Sequence, residues 1–407
     1  MSVRIVLYWI SASQFFLHNL ERGPVEKILN ELRILHPGPV YPDISGGALR
    51  TLNIARIARD FFTGTTIYSV DKNLAYEGDI DSLHIIQERK SLTLAEKLFF
   101  YPHALFAREL HVPFVKRAFL NPENVVFQID SPFLLPLLKK KGISRFILDE
   151  QNINWEVASF DRGIKNHVYQ CLAFRRDKKN EMDALRAASH VLCCSQRERD
   201  IFCREVQEVT DKISVIPNCV DLRKYRPGLP RSTADQRVYR ILFVGTLSYP
   251  PNIEAVHLIC QIIAPKSDPS VQFIIAGRNP PTVRFPRNVR FTDYIPDIVP
   301  VIADADICIA PLQSGSGTRL KILEYMAMEK PVIATSKGAE GIECRHGLNI
   351  IIEDSIEKYP NVIKTLIDDP KRCRELGREA RKLVEEKYDW ELYRKPLGKI
   401  YQELAGP

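Results

Sequence analysis

The sequence predicts an α/β fold with two doubly wound parallel sheets, in two domains that face each other across a cleft. The first observation is that short β-branched runs alternate with longer helical patterns through nearly all of the 407 residues, which is typical of parallel sheets covered by helices. The second is the length, which exceeds what one hydrophobic core usually supports. The third is a polar stretch near the middle that separates two such halves.

Twelve apolar runs are predicted to be strands, since parallel strands are buried on both faces. In the first half they are Leu32–Leu35, Thr65–Val70, Ser82–Ile86, Asn124–Ile129, Arg145–Leu148, His190–Cys194 and Ile213–Ile216. In the second half they are Ile241–Val244, Val271–Ile275, Ile307–Ala310, Pro331–Ala334 and Asn349–Ile352. Ligands of such sheets bind at the carboxyl ends of the strands, so we expect functional residues in the loops that follow strands.

Turn residues mark the boundary between the halves. Pro217 and Asn218 end one strand, and the stretch from Arg223 to Arg240 is polar, basic and rich in Pro and Gly. A new strand then starts at Ile241. We therefore place the first domain at residues 1–224 and the second at 225–388, with the linker reaching about residue 238.

Composition excludes several classes of protein. The 45% hydrophobic and 26% charged content are close to globular averages, and no run of 18 apolar residues predicts a membrane-spanning helix. The net charge of +7 suits an anionic ligand or an anionic membrane surface equally, and it does not favour nucleic acid. The apolar part of residues 5–20 is short for a signal peptide, so this segment is interpreted as an extra strand or docking segment.

The cysteines predict a reducing compartment. The nine cysteines show no C-x-x-C spacing of the kind that zinc sites and redox motifs require. Cys193, Cys194 and Cys308 lie in apolar runs and are expected in the core. We therefore expect a cytoplasmic protein, and peripheral attachment to the inner face of the membrane stays an open alternative.

The strongest functional signal follows the strand that ends at Pro311. Ser314-Gly315-Ser316-Gly317 forms a loop, and a helix is predicted to start near Thr318. Glycines let a backbone approach a ligand closely, and the free N–H groups at a helix start bind phosphate oxygens. Arg319 and Lys321 add two positive charges, as a diphosphate requires. The segment therefore predicts a phosphate-binding turn.

Spacing adds a carboxylate to this turn. Gly317, Lys321 and Glu324 fall at i, i+4 and i+7, which predicts that they share one helix face. Glu324 would lie about 10 Å along the axis from the loop, where it could accept hydrogen bonds from ribose hydroxyls. The alternative is a capped core helix with a Lys–Glu pair on its surface. The glycines, the cations and the strand that follows favour the binding site.

The segment resembles the nucleotide-binding motif of retaining glycosyltransferases with the GT-B fold, specifically family four, also called glycosyl transferases group 1. Further stretches resemble the family in the expected order: Val215–Asp221, Ile241–Val256, Ile274–Gly277, Val289–Ile295 and Lys337–Gly341. The resemblance implies two Rossmann-like domains, a nucleotide-diphosphate sugar as donor and no other cofactor. It implies a glycan, lipid-linked or small-molecule acceptor.

The resemblance also implies donor-binding residues outside the loop. Gly245 follows the opening strand of the second domain, while Tyr294 and Ile295 lie in the turn that usually faces the nucleobase. The family's pair of glutamates, separated by seven residues, falls on Ser316 and Glu324. Since the first glutamate normally helps to hold the donor sugar, the serine leaves the identity of that sugar open.

In the first domain, Gly46 and Gly47 resemble the family's N-terminal glycine loop, which approaches the donor phosphates from the opposite side of the cleft. Arg50 could add charge there. An ordinary tight turn explains two adjacent glycines before a helix nearly as well.

Three more residues are candidates for the acceptor side of the cleft. Asp130 stands where related enzymes often have a histidine near the reactive carbon of the sugar, so it either positions a sugar or acceptor hydroxyl or caps the following turn. Glu150 and Asn152 lie in a stretch that resembles an Asp-Glu-His-Asn motif of a family subgroup, with Gln151 in place of the histidine. A solvated loop is the alternative.

Two further segments have expected partners. Residues 94–120 mix aromatic side chains with Lys and Arg at helical spacing, which fits either an anionic membrane surface or a two-helix core segment. Residues 389–407 form a last amphipathic stretch. The resemblance implies that this C-terminal helix crosses back onto the first domain.

The expected activity is that of a metal-independent hexosyltransferase that retains the configuration at the anomeric carbon. Arg319, Lys321 and the helix start would stabilise the leaving diphosphate electrostatically. The resemblance implies that this phosphate takes the acceptor proton. The alternatives are a nucleotide-sugar 2-epimerase of the same fold and a non-catalytic subunit that binds nucleotide or carbohydrate.

Overall fold

The computed structural model describes residues 28–41, 45–71, 74–89, 116–156, 167–228, 238–281, 283–293, 295, 297–315 and 317–405. Two parallel sheets with helices on their faces account for most of this chain. The predicted α/β class with two Rossmann-like sheets is therefore confirmed. The predictions for residues 1–27, for most of residues 94–120, and for Ser316 and Tyr294 lie outside the described residues.

The first sheet has eight strands in the order β3-β4-β2-β1-β5-β6-β7-β8. All neighbours are parallel except β3 and β4, which pair antiparallel. The strands are β1 Ile28–Leu35, β2 Phe62–Asp71, β3 Tyr76–Ile80, β4 Leu83–Arg89, β5 Val125–Ile129, β6 Phe146–Glu150, β7 His190–Cys193 and β8 Ile213–Val215.

The second sheet has six parallel strands in the order β11-β10-β9-β12-β13-β14. They are β9 Tyr239–Val244, β10 Val271–Ala276, β11 Val289–Thr292, β12 Ile307–Ala310, β13 Val332–Ala334 and β14 Ile351–Ile352. The cores of both sheets combine aliphatic and aromatic side chains, and Cys193, Cys194 and Cys308 are buried as expected.

Ten helices cover the sheets in the described part of the chain. They are α1 Gly46–Ala58, α2 Leu135–Lys140, α3 His167–Ala187, α4 Gln196–Glu205, α5 Pro250–Leu258, α6 Val299–Asp304, α7 Leu320–Ala327, α8 Tyr359–Asp368, α9 Pro370–Lys387 and α10 Arg394–Ala405. Helix α5 continues through a π-helical turn at Ile259–Ile263 and a last turn at Ala264–Lys266. None of the helices in these ranges is long and apolar enough to span a bilayer.

Strand β3 was not predicted, because its sequence Tyr-Glu-Gly-Asp-Ile is mostly polar. It is an edge strand that pairs only with β4, so it needs no apolar face. Asp81 and Ser82 join the two strands with φ angles of 50° and 65°. Two left-handed residues in sequence form the tight turn that suits a hairpin, so Ser82, predicted to begin a strand, belongs to the turn.

The C-terminal helix α10 packs on the first sheet. Leu397, Ile400 and Tyr401 are buried in the same cluster as the apolar residues of α1 and β1. The Tyr401 ring packs edge-on against Phe62 with centroids 5.1 Å apart, and its hydroxyl donates to Oε1 of Gln128 at 3.1 Å. The end of the chain therefore contributes to the core beneath the cleft.

Candidate functional site

Both sheets have a topological switch point, which is the pair of neighbouring strands where the strand order reverses direction. In the first sheet the switch lies between β1 and β5, and in the second it lies between β9 and β12. Ligands of open α/β sheets bind in the crevice at the carboxyl ends of the strands beside such a switch. The residues that follow these four strands are therefore the first candidates for a site.

The loop after β12 contains two backbone conformations that favour glycine. Gly315 has a φ of 106° and Gly317 a φ of 75°. Other residues are strained in this region because their Cβ approaches a backbone oxygen. The left-handed turns extend the loop, so α7 begins at Leu320 and not near Thr318 as predicted. Ser316 lies between the two glycines and outside the described residues.

The start of α7 is open to an anion. Its first turn receives no side-chain cap from the described residues at the Arg319 position, and uncapped N–H groups together with the helix dipole attract negative charge. The Arg319 guanidinium folds over the loop, and its Nη2 donates to the carbonyl of Ser314 at 3.4 Å. Burial lowers the pKa of Arg319, which a neighbouring phosphate would offset.

Lys321 lies in the same turn and faces the end of β9. Its Nζ donates to Oδ1 of Asn252 at 2.8 Å and lies 4.3 Å from the centre of the Phe243 ring. A Cβ at Gly245 would be 2.9 Å from Nζ, so glycine is needed for this approach. Burial, with a smaller effect of Arg319, lowers the pKa of Lys321 to about 7.

Glu324 lies one turn further along α7. Its Oε1 accepts a hydrogen bond from the Tyr225 hydroxyl at 2.7 Å, and burial raises the pKa of the carboxyl. Within the described part of the chain, Lys321 and Glu324 bond to different partners rather than to each other. The alternative of a Lys–Glu pair on the helix surface is therefore wrong.

Thr318 and Ile295 lie at the border of this site. A Cβ at Gly341, where φ is 81°, would be 3.0 Å from Oγ1 of Thr318, so the loop after β13 packs against the phosphate-binding turn. Ile295 packs as a partly buried side chain against the core of the second sheet. Tyr294, predicted beside it, is not among the described residues.

The first domain meets this loop and the start of α7 at two points, and Gln151 packs against Gly47 beside them. A Cβ at Gly46 would lie 3.4 Å from Leu320, and one at Gly47 would lie 2.3 Å from Oε1 of Gln151. Similarly, a Cβ at Gly317 would lie 2.3 Å from Oδ1 of Asn152. The two predicted glycine loops are therefore on opposite sides of one cleft, and Gln151 and Asn152 lie between them.

Arg50 does not contribute charge to the cleft, so that expectation is wrong. The side chain is 1% exposed, and its Nε and Nη2 donate to Asp149 on β6 at 2.7–3.0 Å. Its Nη1 donates to the carbonyl of Ile216 at 2.7 Å. Arg50 instead ties α1 to the ends of two strands.

Replacing Arg50 with methionine is expected to lower the free energy of unfolding by about 3–5 kcal/mol, because Asp149 would be left buried without its counter-charge. Urea denaturation measures this. Arg56→Met on the same helix is the control, since its pair with Asp81 is exposed and should be worth less than about 1 kcal/mol. Equal small losses for both variants would contradict the structural role of Arg50.

Glu150, a candidate for the cleft, is also buried inside the domain. Its Oε2 accepts from Nδ2 of Asn154 at 3.2 Å, and the carboxyl is 1% exposed. Burial, together with the nearby carboxyl of Glu181, raises its pKa well above the ordinary value. Asn152 reaches the cleft and Glu150 does not.

Asp130 and His36 form a pair at the switch point of the first sheet. Nδ1 of His36 lies 3.1 Å from Oδ2 of Asp130, and the Thr51 hydroxyl also donates to that oxygen. Asp130 does not cap the turn after β5, since Ser131 stands at that N-cap. His36 was missed in the sequence, although its place directly after an apolar strand was a usable signal.

Comparison with known proteins agrees with this geometry. Residues 238–369 match the family model described as Glycosyl transferases group 1. This part of the chain is similar to that family. It contains β9 to β14 and therefore the turn with Arg319, Lys321 and Glu324.

A curated protein to which the chain is similar is the GDP-mannose-dependent monoacylated alpha-(1-6)-phosphatidylinositol monomannoside mannosyltransferase of Corynebacterium glutamicum. The two are 24% identical over 211 residues, which are 46% of this chain and 55% of the relative. The chain thus aligns with about half the length of that protein.

Solved structures extend the likeness to both domains. Sucrose-phosphate synthase from Thermosynechococcus elongatus has a TM-score of 0.68 at 16% identity, covering 92% of this chain and 99% of the other. Anabaena HepE in complex with UDP-glucose has a TM-score of 0.66 at 15% identity, covering 92% and 100%. At such low identity these matches establish the fold alone, and the chain has the GT-B architecture.

Proposed function

We propose that the chain is a retaining glycosyltransferase that moves a sugar from a nucleotide-diphosphate sugar to a glycan, lipid-linked or small-molecule acceptor. The observation that carries this proposal is the turn formed by residues 314–321. It combines two left-handed glycines, two cations and an uncapped helix start at the switch point of the second sheet. Such a turn suits a diphosphate.

The proposed chemistry is electrostatic. As the bond between the sugar and the diphosphate breaks, negative charge builds on the leaving oxygen, and Arg319, Lys321 and the first N–H groups of α7 stabilise it. Within the ranges that the structure describes, no three His, Cys, Asp or Glu side chains are arranged to hold a metal. We propose that Arg319 and Lys321, the two cations of this turn, neutralise the leaving group.

The proposed stereochemistry is retention at the anomeric carbon. In this scheme the departing phosphate takes the acceptor proton on the face that it leaves, so no protein carboxylate is needed as a base. Glu324, anchored by Tyr225, would hold the ribose hydroxyls at the other end of the donor. Nuclear magnetic resonance of the first product tests the stereochemistry, and inversion would overturn this part of the proposal.

The two similar proteins described above differ in their nucleotide, so the base of the donor stays open. One relative is GDP-mannose-dependent and the HepE structure contains UDP-glucose. A thermal-shift panel of nucleoside diphosphates and their sugars would identify the base, since a ligand at 100 times its Kd stabilises by about 2.7 kcal/mol. No shift with any member of the panel would overturn the proposal. Release of an epimerised sugar without acceptor would indicate a 2-epimerase instead.

Nucleotide binding is expected to weaken as the pH rises from 7 to 9. Lys321 has a pKa of about 7 in the nucleotide-free protein, and an adjacent diphosphate favours its charged form and raises that pKa. Binding above pH 7 must therefore take up a proton, and affinity should fall by up to about tenfold per pH unit. Calorimetry in buffers of different ionisation enthalpy measures this uptake. The Lys321→Met variant should show none, and equal uptake in both proteins would contradict the assignment.

A further inference from the structure

His36 and Asp130 lie at the switch point of the first sheet. The phosphate-binding turn lies at the corresponding point of the second sheet. His36 follows β1 and Asp130 follows β5, and these strands are direct neighbours. Both side chains are nearly buried, at 5% and 7% exposure. A carboxylate–imidazole pair therefore lies where an open α/β sheet binds ligands.

The contacts of Asp130 indicate which ring nitrogen of His36 has the hydrogen. Its Oδ2 accepts from the Thr51 hydroxyl, and its Oδ1 accepts from Nε2 of Gln128 at 3.2 Å. A carboxylate surrounded by donors is an acceptor only, so Nδ1 of His36 has the hydrogen and donates it to Oδ2 over 3.1 Å. In the neutral imidazole, Nε2 is then the nitrogen with the lone pair, and it can accept a hydrogen bond.

The Nε2 edge of the ring is bordered by two glycines. A Cβ at Gly38 would lie 3.6 Å from Nε2, and a Cβ at Gly47 would lie 3.8 Å from Cε1 of the same ring. Any larger side chain at these positions would stand against that edge. The glycines therefore keep side chains at these two positions away from that edge of the ring.

Gln151 and Asn152 lie between this edge of the ring and the phosphate-binding turn. Oε1 of Gln151 lies 2.3 Å from where a Cβ at Gly47 would be. Nε2 of Gln151 lies 3.4 Å from Oγ1 of Thr51. The next residue, Asn152, touches the Cβ position of Gly317. Two consecutive residues thus span the space between the imidazole and the phosphate-binding turn.

We propose that Nε2 of His36 accepts a hydrogen bond from a sugar hydroxyl in the cleft. Asp130, whose oxygens are bonded within the protein, is then a positioning residue that holds the imidazole and does not touch the sugar. This inference rests on the proposed glycosyltransferase function and changes the role expected for Asp130. The hydroxyl belongs to the donor sugar or to the acceptor, and the chemistry is the same for both.

The test compares His36→Asn with the wild-type protein. The asparagine Nδ2 can donate to Asp130 as Nδ1 does, so the internal network is kept while the Nε2 position is lost. We expect unchanged unfolding and an unchanged Kd for a nucleoside diphosphate, with kcat/KM for transfer about 10- to 100-fold lower. His36→Gln, which reaches the Nε2 position, should recover part of this loss. Transfer by the Asn variant within threefold of wild type would overturn the proposal.

Donor hydrolysis without acceptor identifies the source of the hydroxyl. If it belongs to the donor sugar, hydrolysis by His36→Asn should fall together with transfer. If it belongs to the acceptor, hydrolysis should stay constant while the KM for the acceptor rises. A wild-type protein that binds no nucleotide would overturn the proposed function itself, whereas an active His36→Asn variant would overturn only the role of His36.

Discussion

Replacing Lys321 with alanine is expected to lower kcat for sugar transfer about 10³-fold, which amounts to loss of turnover in most assays. The reason is that Lys321 places a charge where the leaving diphosphate becomes negative, and removal of one such donor typically costs 10²–10³ in rate. The Nζ of Lys321 also donates to Oδ1 of Asn252 at 2.8 Å, which holds the charge at this position. Steady-state kinetics with a saturating donor measure the effect.

Lys321→Met is the matched variant for this experiment. It keeps an unbranched apolar stem over the Phe243 ring and removes only the ammonium group, so the core beneath should stay packed. Lys364→Ala, at an exposed i, i+4 pair on α8, serves as a remote control and should retain full activity. A rate for Lys321→Met within threefold of wild type would refute the catalytic role of the charge.

Replacing Gly317 with valine is expected to weaken binding of a nucleoside diphosphate at least about 30-fold, or about 2 kcal/mol. A β-branched residue is strained at a φ of 75°. Its Cβ would also lie 2.3 Å from Oδ1 of Asn152, so the Asn152 side chain or the loop must move. Isothermal titration calorimetry measures the change.

Gly347 provides the control for backbone strain. Its φ is 74°, and a Cβ there would meet only Arg372 at 3.9 Å. Gly347→Val should therefore lose similar stability and still bind nucleotide normally. Equal binding by the two variants would show that Gly317 is only a turn residue.

The architecture was predictable because it depends on local patterns. Buried parallel strands need continuous apolar runs, and each of the twelve predicted runs corresponds to a strand of the structure. Only β1 differs from its predicted run by more than three residues at one end, because it begins at Ile28 and not at Leu32. Strand β3 was not predicted, because a polar edge strand has no continuous apolar run. The start of α7 was misplaced by two residues, since left-handed glycines lengthen a loop without changing the pattern of the helix.

The turn formed by residues 314–321 was also predictable, because its glycines, cations and helix start are close together in the sequence. The first-domain side chains were not, because their roles depend on distant partners. Arg50 looked like a ligand until Asp149, 99 residues away, was found bonded to it. Likewise, the role of Asp130 depends on its contact with His36, which lies 94 residues earlier in the sequence.

The central claim is that the turn formed by residues 314–321 binds a diphosphate while Glu324 holds the attached ribose. A crystal structure of the protein with the nucleoside diphosphate that stabilises it most tests this directly. We predict phosphate oxygens against the first N–H groups of α7, Arg319 and Lys321, and ribose hydroxyls on Glu324. A nucleotide bound at any other place, or this turn closed by side chains in the complex, would contradict the account.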